Sequence, residues 1–215
     1  MPTSDSHTLV QRERESLADD FVSFGPDAPT VLEEWTAADL LDHLIVREYR
    51  PHLALGAMAP VTAISDRAER ALEDLRETTW SHKVEVFRSG PARFSPVRPI
   101  DQLVNTGEYF VHHEDLLRAR PGWEPRELDD ASERELWALL KRMSRVLVRT
   151  DVDVTLVSPL GGLRVRARHS EGSVRVHGPA SELLLWAFGR DRVARVDVVG
   201  EVEAIGILRR GDRGF

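Results

Sequence analysis

Residues 134–158 read RELWALLKRMSRVLVRTDVDVTLVS, and the apolar period changes inside this stretch. Up to Val148 the apolar residues recur every three or four positions, as on a helix buried along one face. From Asp151, VDVTLVS alternates apolar with polar residues, as on a strand covered on one side. The switch near residue 150 divides the chain into a helical part, 1–150, and a smaller part, 151–215, that mixes strands with helices. The fold class that follows is α+β.

Working outward towards the N-terminus, four more helical stretches precede the fifth, which starts at Asp129 or Asp130. Residues 5–22 carry Leu9, Val10, Leu17 and Phe21 on one side. The next begins at Thr36, whose hydroxyl caps the helix while Asp39 completes a capping box, and it stops at Pro51. Residues 62–88 are helical with an interruption at Thr78–Thr79. A further helix runs from Pro99–Asp101 to Ala119. Long helices with moderate loops predict an antiparallel bundle. Towards the C-terminus, Pro159 to Gly162 form a turn, and LRVRARH, SVRVH and RVDVV are strands. Pro179 opens the apolar helix ASELLLWAF, which ends at Gly189, and EVEAIGILRR closes the chain as a helix. The expectation is a meander with a helix laid against it. At about 65 residues such a unit is near the lower limit for an independent core, so it is expected to pack on the bundle.

Composition narrows the function. The 215 residues include no cysteine, which excludes a disulfide scaffold, Cys-ligated zinc or iron–sulfur, and a protein thiol as nucleophile. With 29 Lys+Arg against 36 Asp+Glu the net charge is −7, which argues against phosphate-backbone binding. The only lysines are Lys83 and Lys141, and the arginines alternate with acids as on solvated helix faces. Residues 151–215 hold 10 basic and 9 acidic residues against 19 and 27 in residues 1–150, so the acidity belongs to the helical part. No apolar run approaches the roughly 20 residues that span a bilayer. The N-terminal MPTSDSHTLVQRERES lacks a signal peptide's apolar region. A soluble, cytoplasmic protein with no membrane or nucleic-acid partner is expected, monomeric or weakly dimeric.

Eight histidines are present. His7, His169 and His177 fall at ends of elements and read as surface imidazoles. Glu108 and His112, in NTGEYFVHHEDLLRA, are four apart and share a helix face with Asp115. The pair is an i,i+4 surface contact or half of a metal site built between facing helices. His43, in ADLLDHLIVRE, borders the apolar stripe of Leu40 and Leu44; it is a hydrogen-bonded core residue or the third ligand. Two imidazoles and a carboxylate suit zinc with a coordination position left open, and imidazole also suits nickel or iron.

WTAADLLDHLIVRE (35–48), GEYFVHHEDLLRA (107–119) and VRVHGPASELLLWAFGRD (174–191) resemble, in this order, motifs of the mycothiol-dependent maleylpyruvate isomerase family, within the DinB-like metal-binding four-helix bundles. The resemblance implies a DinB-like N-terminal bundle, a sterol-carrier-like C-terminal domain, and the ligand set His43, Glu108 and His112. It also implies a divalent metal and mycothiol as thiol cosubstrate, and an isomerase or thiol S-transferase acting on a small organic molecule. The absence of cysteine agrees with this, since the sulfur then comes with the cosubstrate. Where the family reads H-R-x-D after the last ligand, this chain has His112-His113-Glu114-Asp115. His113 lies about 100° round the helix from His112 and is not counted as a ligand. Glu114 falls near the middle of the apolar face, where a lone carboxylate is costly to bury; it pairs with an arginine, lies at the open end of the bundle, or belongs to the site. Asp115 either orients His112 or is a plain surface acid. The form of these segments resembles a branch of the family that binds metal without a defined reaction.

Acidic substrates, or a carboxylate on a thiol, would need cationic contacts. Arg47, one turn after His43, is the first candidate catalytic contact, with Arg50 beyond it; the alternative for each is a solvated arginine paired with Glu48 or another acid. Arg190, after LLLWAFG, is the candidate catalytic and cofactor-binding contact from the second domain, or caps a helix C-terminus. Trp35, Trp137 and Trp186 read as core. Three functions remain: a metal-dependent enzyme, which is favoured; a non-catalytic metal- or small-ligand-binding module with a large apolar pocket in residues 151–215; and a bundle with incidental histidines.

Overall fold

The computed structural model describes residues 8–49, 77–90 and 98–214. His7, Arg50, the stop at Pro51, His52 and most of the helix expected over 62–88 lie outside them. The described residues form seven helices and two sheets, a mixed α and β fold. They fall into two units, Met1–Trp123 and Glu124–Phe215.

The first unit holds α1 (Leu9–Phe24), α2 (Ala37–Tyr49), α3 (Trp80–Ser89) and α4 (Arg98–Leu117). Their apolar stripes meet in one core, with Leu17 and Phe21 from α1, Leu40, Leu41 and Leu44 from α2, Phe87 from α3 and Tyr109 and Leu116 from α4. The expected capping box forms at the start of α2: the Thr36 N–H and hydroxyl both donate to Asp39 Oδ2, at 2.9 and 2.7 Å. Thr79, where the third stretch was expected to break, caps α3 by accepting from the His82 N–H. No described helix is long and apolar enough to cross a membrane.

In the second unit α5 (Asp130–Leu147) packs against α6 (Ala180–Ala187), every residue of which is buried. The chain therefore groups α5 with the strands, although the period change lies after it. An amphipathic helix records that it has a partner, not which one. The strands are β1 (Val148–Arg149), β2 (Asp153–Ser158), β3 (Gly161–Val165), β4 (Ser173–His177), β5 (Asp197–Gly200) and β6 (Asp212–Arg213), and α7 (Val202–Arg210) precedes the last. The main sheet runs β3-β2-β4-β5, and β1 pairs with β6. It is not a simple meander: β4 lies parallel to β2 rather than beside β3. Residues 166–172 make this crossing by passing the end where β2 begins, with the Asp153 N–H donating to the Gly172 carbonyl (2.9 Å) and the Glu171 N–H to that of Asp151 (2.8 Å). Because β3 ends beside the start of β2, a short loop suffices. Trp137 and Trp186 are buried and Trp35 packs on the first unit's core, as expected.

Asp153 fastens this crossing. Its carboxylate accepts from Arg164 Nη2 at 2.7 Å and from the Ala167 N–H at 3.0 Å, and these bonds hold its pKa below the ordinary carboxylate value. A carboxyl whose pKa is lower in the folded than in the unfolded chain stabilises the fold above the unfolded value, about 3.9, and loses that contribution as pH falls through the folded value. Asp153→Asn is therefore expected to lower the melting temperature at pH 7, and the deficit relative to wild type should shrink towards zero as the pH is taken below about 4. A deficit that stays constant into acid would show that the charge is not what holds the loop.

Candidate metal centre

The capping box fixes the start of α2, and the burial of Leu40, Leu41 and Leu44 fixes its rotation. His43 is thereby held at the edge of the buried stripe, with 37% of its side chain exposed. On α4, the burial of Tyr109, Phe110, Val111 and Leu116 turns Glu108 and His112 inward on successive turns. The two helices bring together the three residues read as ligands. Donor atoms of His43, Glu108 and His112 all lie within 4.8 Å of one another. Glu108 Oε2 is 3.9 Å from His43 Nε2 and 3.4 Å from His112 Nε2. Ligands at 2.0–2.1 Å around a tetrahedral zinc stand roughly 3.3 Å apart, so this donor set fits a small divalent cation with little adjustment. The imidazole rings of His43 and His112 meet edge to face, 5.1 Å between centroids, and Trp35 packs against His43 at 5.2 Å.

Glu108 and His112 are almost wholly buried, and the exposed side of His43 gives the cluster its contact with solvent. Burial alone would raise the Glu108 pKa; hydrogen bonds from His112 and His43 and the nearby charge of Arg47 outweigh it and hold the carboxyl well below the usual range. Burial likewise works against protonation of His112, yet the carboxylates of Asp115 and Glu108 raise its pKa. Asp115, fully buried, meets His112 Nδ1 at 2.9 Å, which turns Nε2 towards Glu108. This is the arrangement by which a carboxylate orients a ligating imidazole.

Arg47 lies beside this cluster. Its Nη1 is 2.9 Å from Glu108 Oε2, the same oxygen that faces both imidazoles. Its Nε is buried and has no hydrogen-bond acceptor among the described residues. Glu48, the alternative partner suggested by sequence, pairs instead with Arg14 at 2.7 Å and accepts a short hydrogen bond from the Tyr109 hydroxyl. Arg190, in the second unit, donates from Nη1 to the Phe188 carbonyl at 2.7 Å, the contact of a residue capping the end of α6.

The neighbours of the ligands are also placed. His113 turns away from His112 and is held between two carboxylates of α1, Glu13 at Nδ1 and Asp20 at Nε2, both at 2.8 Å. Glu114, also buried, forms an ion pair with Arg118 one turn on. The pairings of His113 with Glu13 and Asp20, and of Arg14 with Glu48 and Tyr109, bridge separations of 34 to 100 residues and have no local signature in the sequence.

Two solved structures share this fold. Crystal structures of the mycothiol-dependent maleylpyruvate isomerase and of its histidine-to-alanine variant match with TM-scores of 0.50 and 0.51 at 17% identity, covering 94% of this chain and 98% of theirs. No protein-family model matches the chain, and no curated protein matches it in sequence.

Two measurements test the centre. Metal analysis of untagged protein should find His43→Ala depleted relative to wild type; equal metal in both would remove His43 from the ligand set. Arg47 competes with a cation for Glu108 Oε2, so Arg47→Gln should bind zinc more tightly, by roughly tenfold if about 1.4 kcal/mol of competition is relieved. A chelator-competition titration reads this directly, and weaker binding in Arg47→Gln would mean that the guanidinium instead holds the carboxylate in place for the ion.

Proposed function

We propose that this protein is a divalent-metal-binding, mycothiol-dependent enzyme, of isomerase or thiol S-transferase type, acting on a small organic substrate. The observation that carries the reading is the meeting of His43, Glu108 and His112 within 4.8 Å, in a fold shared with an enzyme that uses this thiol. The first unit is read as a DinB-like bundle, the second as sterol-carrier-like, and zinc as the metal because two of the three ligands are imidazoles.

His43, Glu108 and His112 would hold the metal, and Asp115 would keep His112 in the ligating orientation. A divalent metal supplies Lewis acidity that lowers the pKa of a thiol or polarises a substrate oxygen. The chain has no cysteine, so the sulfur belongs to the cosubstrate. In the isomerase reading the thiolate adds to the substrate's carbon–carbon double bond, forming a C–S bond. The remaining single bond rotates, and elimination breaks the C–S bond and returns the thiolate, so no thiol is consumed. Arg47 is assigned to an anionic group of the substrate: its buried Nε is a donor with no acceptor among the described residues. Arg190 is assigned to the polar oxygens of the thiol cosubstrate.

Thermal denaturation of zinc-loaded protein with and without millimolar mycothiol tests this. At a hundred times Kd the thiol should add about 2.7 kcal/mol of stability. For a chain of this length that is a rise of roughly 5–11 °C. Glu108→Gln should abolish the metal-dependent part of the rise. No shift in the zinc-loaded wild type would overturn the thiol-dependent reading and leave a metal-binding module.

A further inference from the structure

The second unit contains an open cleft of about 840 Å³ that the metal chemistry does not use. Five arginines line it: Arg145, Arg149, Arg166, Arg168 and Arg210. From this we propose a binding site for a phosphorylated small molecule, built wholly from residues of the second unit and independent of the metal centre.

The arginines come from four parts of the fold. Arg145 is in the last turn of α5, Arg149 in β1, Arg210 at the end of α7, and Arg166 and Arg168 on the β3–β4 crossing. Among the described residues none of the five is in an ion pair. Arg149 alone has a polar partner, the Gly214 carbonyl at 3.3 Å. Elsewhere in the same unit arginines are matched: Arg164 with Asp153 at 2.7 Å and Arg213 with Asp191 at 2.5 Å. Arg164, Arg166 and Arg168 alternate along the sequence; Arg164 pairs with Asp153, and the charge of Arg166 acts on the same carboxylate without an ion pair. The helix ends account for Arg145 and Arg210, which complement the negative ends of α5 and α7. They do not account for Arg149, Arg166 or Arg168. The carboxylates Asp151, Glu171 and Asp212 also line the cleft, leaving two more positive than negative groups.

The backbone holds in place the segments that carry the arginines. The crossing is tied down at Ala167 by Asp153. A Cβ on Gly211 would lie 2.8 Å from Thr150 Cβ, so glycine is what lets the end of α7 close against β1, which brings Arg210 and Arg149 to one cleft. Thr150 Oγ1, lining the same cleft, is buried without a hydrogen-bond partner among the described residues. Val148 and Val165, both buried, contribute apolar surface. The volume lies within the roughly 300–1,000 Å³ of small-molecule sites. Guanidinium forks present paired donors that match phosphate oxygens, and a phosphate relieves the mutual repulsion of the gathered cations. The large apolar pocket required of a non-catalytic apolar-ligand module is not what this cleft offers.

Calorimetric titration of the full chain with inorganic pyrophosphate, at fixed ionic strength, tests the proposal. Wild type should show saturable one-site binding. Arg166→Gln combined with Arg168→Gln should weaken it at least tenfold; both residues are exposed, so folding is not at issue. Arg175→Gln, on β4 outside the cleft, should leave it unchanged, and citrate should bind more weakly than pyrophosphate. The absence of saturable binding, an equal loss in Arg175→Gln, or citrate binding as tightly as pyrophosphate would each overturn the assignment. Metal content should be the same in every variant, which separates this test from that of the metal centre.

Discussion

The first unit is organised around one buried carboxylate. Glu108 is only 4% exposed, and an ion withdrawn from water at that depth costs several kcal/mol unless it is compensated. Its compensation comes from Arg47 and from the imidazoles of His43 and His112, and two of these three stand on α2. The electrostatic need of one side chain on α4 is therefore met largely from α2. The same arrangement gathers three metal-binding groups on one oxygen's surroundings and leaves only His43 substantially open to solvent.

The surroundings repeat the same logic. Every buried ionisable group beside the ligands meets an oppositely charged or hydrogen-bonding partner: Asp115 with His112, Glu114 with Arg118, His113 with Glu13 and Asp20, Glu48 with Arg14. Adjacent histidines on one helix thus have different work. His112 faces the cluster, and His113 ties α4 to α1. A helix advances about 100° per residue, so neighbours in sequence cannot share a target.

Much of this was legible in the chain itself, for reasons that separate local from distant information. The change of period near residue 150 is a local property of side-chain pattern, and it gives the mixed fold class. The Thr36–Asp39 capping box is local and appears as read. His43 and the Glu108–His112 pair could be placed at the edges of apolar stripes by helical periodicity alone. What the sequence does not carry locally is the choice of partner. α5 looks like one more helix of a bundle, and its contacts with α6, β1 and β3 assign it to the second unit. β4 lies beside β2 rather than β3 because the chain crosses at the strand ends, which no run of alternating residues announces. Arg47 has an acid next to it in sequence, Glu48, and uses another 61 positions away.

The ion pair between Arg47 and Glu108 also bears on the life of the protein in the cell. The guanidinium supplies a positive charge to the buried carboxylate from within the chain itself. In the proposed metal-dependent reading, loading of the ion would then be a reversible event on a folded chain, and the loaded fraction would follow the supply of exchangeable cations.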